Sequence, residues 1–199
     1  GETAYNWQVT NFQKPAKTDL VIYELLIRDF DELHSFDAVK ARLDYLQNLG
    51  INAIEFMPLM EFDGNESWGY NPSFHMALDK YYGNTTAFKQ LVDECHARGI
   101  AVIVDVAFNH ASGQHPYYRM YNGGQASADS PFFNQAATHS YSVFNDFNHS
   151  KQATKDYVKR VSQYWIDEYN IDGFRWDLTK GFTQNCTSSD ENCTNQYQE

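Results

Sequence analysis

The sequence predicts an α/β fold in which a parallel sheet is covered by helices. Four apolar segments typical of buried strands alternate with three segments whose apolar residues recur at helical spacing. Near-continuous apolar strands are typical of a parallel sheet that is buried on both faces. Helix-to-strand connections are tight, whereas the connections after the second and third strands are long. A (β/α) barrel and a doubly wound sheet both place functional loops at this edge, so the pattern leaves both open.

Each element is predicted from its own residues. The predicted strands are residues 20–30, 51–57, 100–106 and 173–178. Helices are expected to begin at polar residues that cap free N–H groups and to end at glycines that adopt a left-handed conformation. The predicted caps are Ser35, Asn84 or Thr85, and Ser150, and the predicted stops are Gly50 and Gly99. No glycine-rich phosphate fingerprint follows the first strand, which counts against a nucleotide-binding fold.

The charge of the chain excludes two kinds of partner. The 199 residues carry a formal net charge of −11 at pH 7. Without a visible basic patch, this charge argues against binding to nucleic-acid phosphates or to an anionic membrane surface. No apolar run approaches the ~20 residues of a transmembrane helix. We therefore expect neither a nucleic acid nor a membrane as a partner.

The three cysteines indicate a cellular compartment. Cys95 lies on an apolar helix face and is predicted to be a buried thiol. Cys186 and Cys193 flank a short polar loop and predict a disulfide that closes it. Such a bond is typical of an oxidising compartment, so we expect an extracellular, periplasmic or cell-surface protein.

A charged pair in the fourth predicted strand is the main candidate for chemistry. Side chains alternate across a strand, so Arg175 and Asp177 are expected on one face. A nearby cation lowers the pKa of a carboxyl group and keeps it ionised. An ionised carboxylate held in this way suits a nucleophile or a charge stabiliser. The alternative is a structural ion pair at a strand end.

Four further side chains lie near predicted strand ends or in the loops that follow the strands. Asp105 is near the end of the third strand, and His110 follows it. Because neighbouring parallel strands are about 4.8 Å apart, these groups can converge with Asp177. His110 could bind a substrate hydroxyl or be a polar loop residue. Tyr70 could stack on a substrate or pack within its loop, and Lys180 could reach the site or be solvated.

Two oxygen-bearing side chains flank the long segment after the third strand. Asn109 precedes it and Asp146 lies near its end. Together they could hold a hard cation such as calcium, which prefers oxygen ligands. The alternative is that both are hydrogen-bonded loop anchors.

Three motifs in this sequence resemble those of the α-amylase family, glycoside hydrolase family 13. Residues 105–110 (DVAFNH) resemble its third-strand signature, and residues 173–180 (GFRWDLTK) resemble its fourth-strand signature. Residues 68–72 (WGYNP) resemble the segment that supplies its sugar-stacking tyrosine. The resemblance spans roughly residues 20–182, with the motifs in the family's order.

The resemblance implies a (β/α)8 barrel of the TIM-barrel type, represented here by about its first four β/α units. A long insertion after the third strand would correspond to the family's domain B. The implied divisions are a lead-in over residues 1–19, a partial barrel over 20–110 and 150–182, the insertion over 111–149, and a polar tail over 183–199.

The resemblance also implies a role for each candidate residue. Asp177 would be the nucleophile, and Arg175 would hold it ionised and oriented. Asp105 would order Arg175. The expected sugar contacts are His110 to hydroxyl groups, Tyr70 by stacking, and Lys180 on the acceptor side. Asn109 and Asp146 would be calcium ligands, although the family often has His where this sequence has Gly181.

The second carboxyl group of a retaining glycosidase is not evident. The family's acid/base Glu follows a fifth strand, whereas the acidic residues after Asp177 are Asp190, Glu191 and Glu199, none of which follows an apolar strand. We therefore expect a fragment that is inactive by itself, from a retaining hydrolase of α-1,4-glucans. The alternatives are an α-glucanotransferase and a non-catalytic glucan-binding remnant. The missing half-barrel or another copy of the chain would cover the open strand edges.

Overall fold

The computed structural model describes residues 4–122 and 124–196, and the chain divides into two compact units. Unit 1 comprises the described residues up to Leu59 together with Leu78–Asp105 and Tyr164–Arg175. Unit 2 comprises Met60–Ala77, Val106–Gln163 and the described residues from Trp176 onward. The elements in chain order are β1 (Ile22–Leu25), α1 (Ile27–Phe30), α2 (Phe36–Ala41), α3 (Leu43–Asn48), β2 (Ala53–Phe56), β3 (Met60–Phe62), β4 (Pro72–Leu78), α4 (Thr85–Ala97), β5 (Ala101–Ala107), β6 (His110–Ala111), α5 (Pro116–Met120), β7 (Asn145–Asp146), α6 (Gln152–Tyr169), β8 (Gly173–Asp177) and α7 (Glu191–Gln196).

The four predicted strands form one sheet in the order β1-β2-β5-β8. β1 pairs with β2 in parallel, with Leu25 opposite Phe56, and β2 pairs with β5 in parallel, with Phe56 opposite Val104. These three residues are buried. Helical segments separate successive strands of this sheet, so the predicted strand-helix alternation is confirmed.

The first predicted strand and the first predicted helix are each divided. The strand ends at Leu25 and is followed by the short helix α1. The predicted helix forms α2 and α3, which are separated at Arg42, where φ is −105° and ψ is 5°. Four of its five predicted apolar positions, Phe36, Val39, Leu43 and Leu46, are buried, whereas the fifth, Leu49, is 51% exposed. Periodicity therefore identified the buried face up to Leu46 but wrongly included Leu49, and it contains no signal for a change in backbone hydrogen bonding within that face.

The predicted helix ends are mostly confirmed. The side chains of Ser35 and Asn84 each accept a hydrogen bond from the backbone N–H three positions later. Gly50 and Gly99 have φ values of 82° and 73°, the left-handed conformation expected of a helix stop. Ser150 is an exception because α6 begins at residue 152, and the Ser150 hydroxyl donates to Asn148 Oδ1 at 2.6 Å.

An aromatic cluster forms part of the core of unit 1. The Phe88 ring of α4 lies with its centroid 5.0 Å from that of Phe36 and 6.3 Å from that of Phe56. Trp165 and Tyr169 of α6 lie 6.1 and 5.1 Å from the same ring. All five rings are buried, and edge-to-face contacts of this kind stabilise a core beyond simple area burial.

The predicted lead-in has no regular element over residues 4–16, forms a short 3-10 helix at Lys17–Asp19, and is attached to α4; its residues 1–3 lie outside the described residues. The buried carboxylate of Asp93 accepts hydrogen bonds from the backbone N–H groups of Gln8 and Val9 at 2.8 and 2.9 Å. It also accepts one from the hydroxyl of Tyr5 at 3.2 Å. Because a buried carboxylate needs several donors, Asp93 fixes the path of this segment.

Unit 2 contains two small sheets, β3 with β4 and β6 with β7. The predicted disulfide between Cys186 and Cys193 is present, and Cys95, in unit 1, is a buried free thiol as expected.

The tail was predicted to contain no regular element, but α7 lies within it. This helix is polar and short, so it shows no apolar periodicity, and the Asp190 carboxylate accepts from the Cys193 N–H at its start. Residues 197–199 of the predicted tail are outside the described residues.

The predicted domain boundaries do not coincide with the two units, since unit 2 also takes in Met60–Ala77 and the described residues from Trp176 onward. The boundaries therefore stay a prediction. Among the helices of the described ranges, none has the length and apolar character needed to cross a bilayer.

Candidate active site

An ion pair in unit 1 joins two of the predicted site residues. Arg175 Nη1 donates to both carboxylate oxygens of Asp105 at 3.2 Å. The Asp105 side chain is fully buried, whereas that of Arg175 is 42% exposed. A buried carboxylate is costly without a charged partner, so Asp105 restrains the guanidinium at the sheet. The two side chains are thus in contact, and the function of Asp105 in ordering Arg175 stays a prediction.

A carboxyl pair that sequence reasoning did not select lies on the same sheet. Glu24 of β1 and Glu55 of β2 occupy directly paired positions. Burial raises the pKa of Glu55, the charge of Glu24 raises it further, and the charge of Arg175 opposes both. Their opposition depends on the register between β1 and β2, which was not predictable from the sequence.

In unit 2, His110 is buried and both of its ring nitrogens are hydrogen-bonded. Nε2 donates to the backbone carbonyl of Tyr70 at 2.6 Å, and Nδ1 accepts from Asn109 Nδ2 at 2.9 Å. Burial lowers the pKa of His110, an effect opposed by the Tyr70 carbonyl and by the negative charges of Asp177 and Asp146. His110 is therefore held as a neutral donor, and a sugar hydroxyl would have to replace one of these bonds.

The loop that carries Tyr70 is fixed by local hydrogen bonds. Ser67 Oγ accepts from the Gly69 N–H at 2.9 Å, and Gly69 has a φ of 94° that few other residues tolerate. Asn71 Nδ2 donates to the Asp63 carbonyl at 2.7 Å. Tyr70 is half-buried in this loop, and the neighbouring Trp68 is 60% exposed. Trp68 is an exposed aromatic side chain of the same loop that the predicted site residues did not include.

Asp177 and Lys180 lie on either side of a strained residue. Asp177 ends β8 and is half-buried. Leu178 follows with a φ of 54°, an uncommon left-handed conformation for a branched residue, and a 3-10 turn carries Lys180. Lys180 Nζ donates to Asn195 Oδ1 at 3.0 Å and lies 5.6 Å from the Tyr141 ring centroid. Its predicted contact with the acceptor side of a substrate stays a prediction.

The predicted calcium ligands are close together in unit 2, but their surroundings do not fit a cation. β6 and β7 are antiparallel, with Asp146 opposite His110. Both carboxylate oxygens of Asp146 accept hydrogen bonds, from His139 Nε2 and from Asn134 Nδ2, each at 2.7 Å. Asn109 Oδ1 is buried and makes no hydrogen bond within the described residues, which would favour an ion. However, the one carboxylate of the predicted pair, that of Asp146, already accepts a hydrogen bond at each of its oxygens.

A buried polar network in unit 2 was also not selected from the sequence. The Tyr157 hydroxyl lies 3.0 Å from His75 Nδ1 and 3.0 Å from His115 Nε2. His75 Nε2 donates to the Ala107 carbonyl, and the N–H of Tyr117 donates to His115 Nδ1. One pair of neutral tautomers satisfies every group, with His115 donating to the Tyr157 oxygen and Tyr157 donating to His75.

Burial keeps both histidines of this network neutral. It lowers the pKa of His75 to about 4, partly offset by the Ala107 carbonyl, with the charge of His110 lowering it slightly further. It lowers the pKa of His115 to about 3, with a further contribution from the charge of His75. The network is therefore stable only while these rings remain unprotonated.

Known proteins resemble this chain over most of its length. The family profile for the alpha-amylase catalytic domain matches residues 29–145. Malto-oligosyltrehalose trehalohydrolase from Saccharolobus solfataricus is 34% identical over 182 residues, which are 91% of this chain and 31% of that protein. Chloroplastic isoamylase 1 from Oryza sativa subsp. japonica is 30% identical over 93% of this chain and 27% of its own length.

Solved structures agree with these relatives. The structure of type I pullulanase from Bacillus subtilis, complexed with maltose, has a TM-score of 0.77 and 25% identity, covering 90% of this chain and 30% of that one. The chain thus spans about a third of the length of such relatives. These neighbours imply a (β/α)8 barrel. The four-stranded sheet of this chain is consistent with part of such a barrel. The chain belongs to the alpha-amylase family.

Proposed function

We propose that the protein containing this chain is a retaining glycoside hydrolase that cleaves α-1,4-glucans, with Asp177 as its nucleophile. The family and its relatives are glycosidases, among them proteins named trehalohydrolase, isoamylase and pullulanase. The observation that carries the proposal is the ion pair between Arg175 and the buried Asp105. It fixes a guanidinium two residues before Asp177 in β8, and side chains two residues apart in a strand lie on the same face.

The proposed reaction has two steps. The Asp177 carboxylate attacks the anomeric carbon as the glycosidic bond breaks, and the departing oxygen takes a proton from an acid. Water then attacks the glycosyl-enzyme, gives up its proton to the same group, and releases the sugar with retained configuration. The acid/base carboxyl is expected about 5–5.5 Å from the nucleophile. No acidic residue after Asp177 follows an apolar strand, so we propose that the 199 residues alone do not turn over.

Contacts to the sugar are proposed for three side chains of unit 2. His110, a neutral donor, would bind hydroxyl groups of the sugar being cleaved. Tyr70 would stack on the same sugar, and the exposed Trp68 extends the aromatic surface of that loop. Lys180 would contact the acceptor side after exchanging its bond with Asn195.

The proposal is tested with Asp177→Asn in the longer protein that contains this chain. Hydrolysis of maltooligosaccharides is expected to fall by about 10⁴-fold, because the amide cannot form the ester intermediate, while sugar affinity changes little. Asp129→Asn, at an exposed carboxylate in the long insertion, is the matched control and should keep full activity. Unchanged hydrolysis in Asp177→Asn would exclude this nucleophile. Sugar binding by the wild type without turnover would identify a non-catalytic binder, and lengthened glucans would identify a glucanotransferase.

The environment of the chain is proposed from two further observations. The disulfide between Cys186 and Cys193 supports an extracellular, periplasmic or cell-surface location.

β1 is an edge strand of the four-stranded sheet, and Ile22 on it is 46% exposed. We propose that the rest of the barrel or a second copy of the chain covers this edge, because an exposed apolar edge strand favours pairing. We do not propose a calcium ion between Asn109 and Asp146, because both oxygens of Asp146 already accept hydrogen bonds.

A further inference from the structure

The β6–β7 pair, which carries His110, is anchored by a buried carboxylate. Asp146 is 4% exposed and lies opposite His110 in the antiparallel register. Its Oδ1 accepts from His139 Nε2 and its Oδ2 accepts from Asn134 Nδ2, both at 2.7 Å. His139 is completely buried. Hydrogen bonds of this length to a buried carboxylate are among the strongest in proteins, so they account for the position of Asp146 without any further ligand.

The His139 ring also borders the other predicted cation ligand. A Cβ atom added to Gly181 would lie 1.7 Å from Asn109 Oδ1 and 2.9 Å from His139 Cε1. Both atoms therefore contact the same glycine, and the ring edge of His139 lies beside Asn109 Oδ1. A calcium ion shared by Asn109 and Asp146 would have to lie 2.3–2.6 Å from each oxygen. Such an ion would therefore have to compete with the imidazole N–H of His139 for Asp146 Oδ1 and with the N–H of Asn134 for Oδ2.

We propose that His139, together with Asn134, replaces a calcium ion in this chain and holds the β6–β7 pair by hydrogen bonds to Asp146. The inference goes beyond the proposed hydrolase function, because it concerns how the loop is anchored and not which bond is cleaved. It makes His139 a positioning residue for His110, which acts through Asp146 and the paired strands. It also gives a reason for Gly181, because only a residue without a side chain fits between Asn109 and His139.

The first test is calcium binding by the purified 199-residue chain after treatment with EDTA. Titration calorimetry with CaCl₂ up to about 1 mM, a range that covers most protein calcium sites, is expected to show no saturable binding that depends on Asp146. The melting temperature should be the same in calcium and in EDTA. One bound calcium per chain that is lost in Asp146→Ala would overturn the proposal. Calcium that binds equally to the wild type and to Asp146→Ala lies elsewhere and agrees with it.

The second test measures the hydrogen bond itself in EDTA. His139→Ala is expected to lower the melting temperature, and His139→Gln, which can place an N–H near the position of Nε2, should recover most of the loss. In double-mutant cycles, the effects of His139→Gln and of His139→Ala on stability should each be coupled to the effect of Asp146→Ala. The same two substitutions combined with Asp129→Ala, at an exposed carboxylate, should have additive effects. Additivity with Asp146→Ala, or no loss in His139→Ala, would refute the proposal. If His139→Ala does not fold, the comparison rests on His139→Gln and on the wild-type titration.

Discussion

Arg175 Nη1 lies 3.2 Å from both carboxylate oxygens of Asp105, and only one member of this pair is accessible to solvent. Asp105 is fully buried, whereas 42% of the Arg175 side chain is exposed. Removing Arg175 and removing Asp105 should therefore have different free-energy costs. Loss of the cation leaves a buried negative charge, while loss of the carboxylate leaves a cation that water can solvate.

We predict that Arg175→Ala lowers the free energy of unfolding by about 2–4 kcal/mol, because it removes the guanidinium that donates to both oxygens of the buried Asp105. Arg175→Lys should cost less, since it keeps the charge but loses the planar fork. Urea denaturation of the 199-residue chain measures both. The exposed Arg160→Ala is the control, with an expected change within about 0.5 kcal/mol. Equal effects at residues 175 and 160 would mean that the ion pair does not stabilise the fold.

Stability should rise with pH because of the two buried histidines. Their pKa values in the folded chain are lowered to about 4 for His75 and about 3 for His115, against 6.5 as the ordinary value. Their contribution is therefore fully present above pH 6.5 and is lost as the pH falls from 6.5 towards 4, because the unfolded state binds more protons there. Each histidine contributes up to about 1.4 kcal/mol per pH unit.

The measurement is urea denaturation at a series of pH values between about 4 and 6.5. The double variant His75→Gln, His115→Gln is expected to be less stable at neutral pH but to show a flatter pH dependence, since it lacks both titrating rings. Wild type and double variant with the same slope would show that other groups cause the pH dependence.

Tyr157→Phe should destabilise the chain by about 2–4 kcal/mol, because one hydroxyl serves both histidines. Its removal leaves the buried Nδ1 of His75 and the buried Nε2–H of His115 without this partner. The exposed Tyr45→Phe is the matched control and should be nearly neutral. Thermal unfolding monitored by circular dichroism measures the difference, and a Tyr157→Phe variant as stable as the control would contradict the tautomer assignment.

Gly181→Ala is predicted to be strongly destabilising, by about 1–3 kcal/mol or more, because the new Cβ would lie 1.7 Å from Asn109 Oδ1. Gly113→Ala, also in unit 2, is the control, since a Cβ there meets no atom within 4 Å. Comparing the melting temperatures of the two variants checks the prediction. An unaffected Gly181→Ala would show that Asn109 can move away, and that the space around it is larger than the structure indicates.

Elements with an apolar pattern were predictable, and those without one were not. The alternation of strand and helix, the caps at Ser35 and Asn84 and the stops at Gly50 and Gly99 follow from residue type and spacing. The break at Arg42 was missed because both helices share one buried face. The helix α7 was missed because it is short and polar.

For the site, the sequence by itself determined the chemistry of single positions. Strand alternation and nearness to strand ends selected Arg175, Asp177 and His110, and three motifs indicated the family. The sequence could not determine which residues distant in the chain become partners. Asp146 bonds to His139, and Tyr157 lies between two histidines, because of the way in which loops fold back onto each other. Only tertiary structure decides this, because a hydrogen bond depends on position and direction, and neither is encoded in local periodicity.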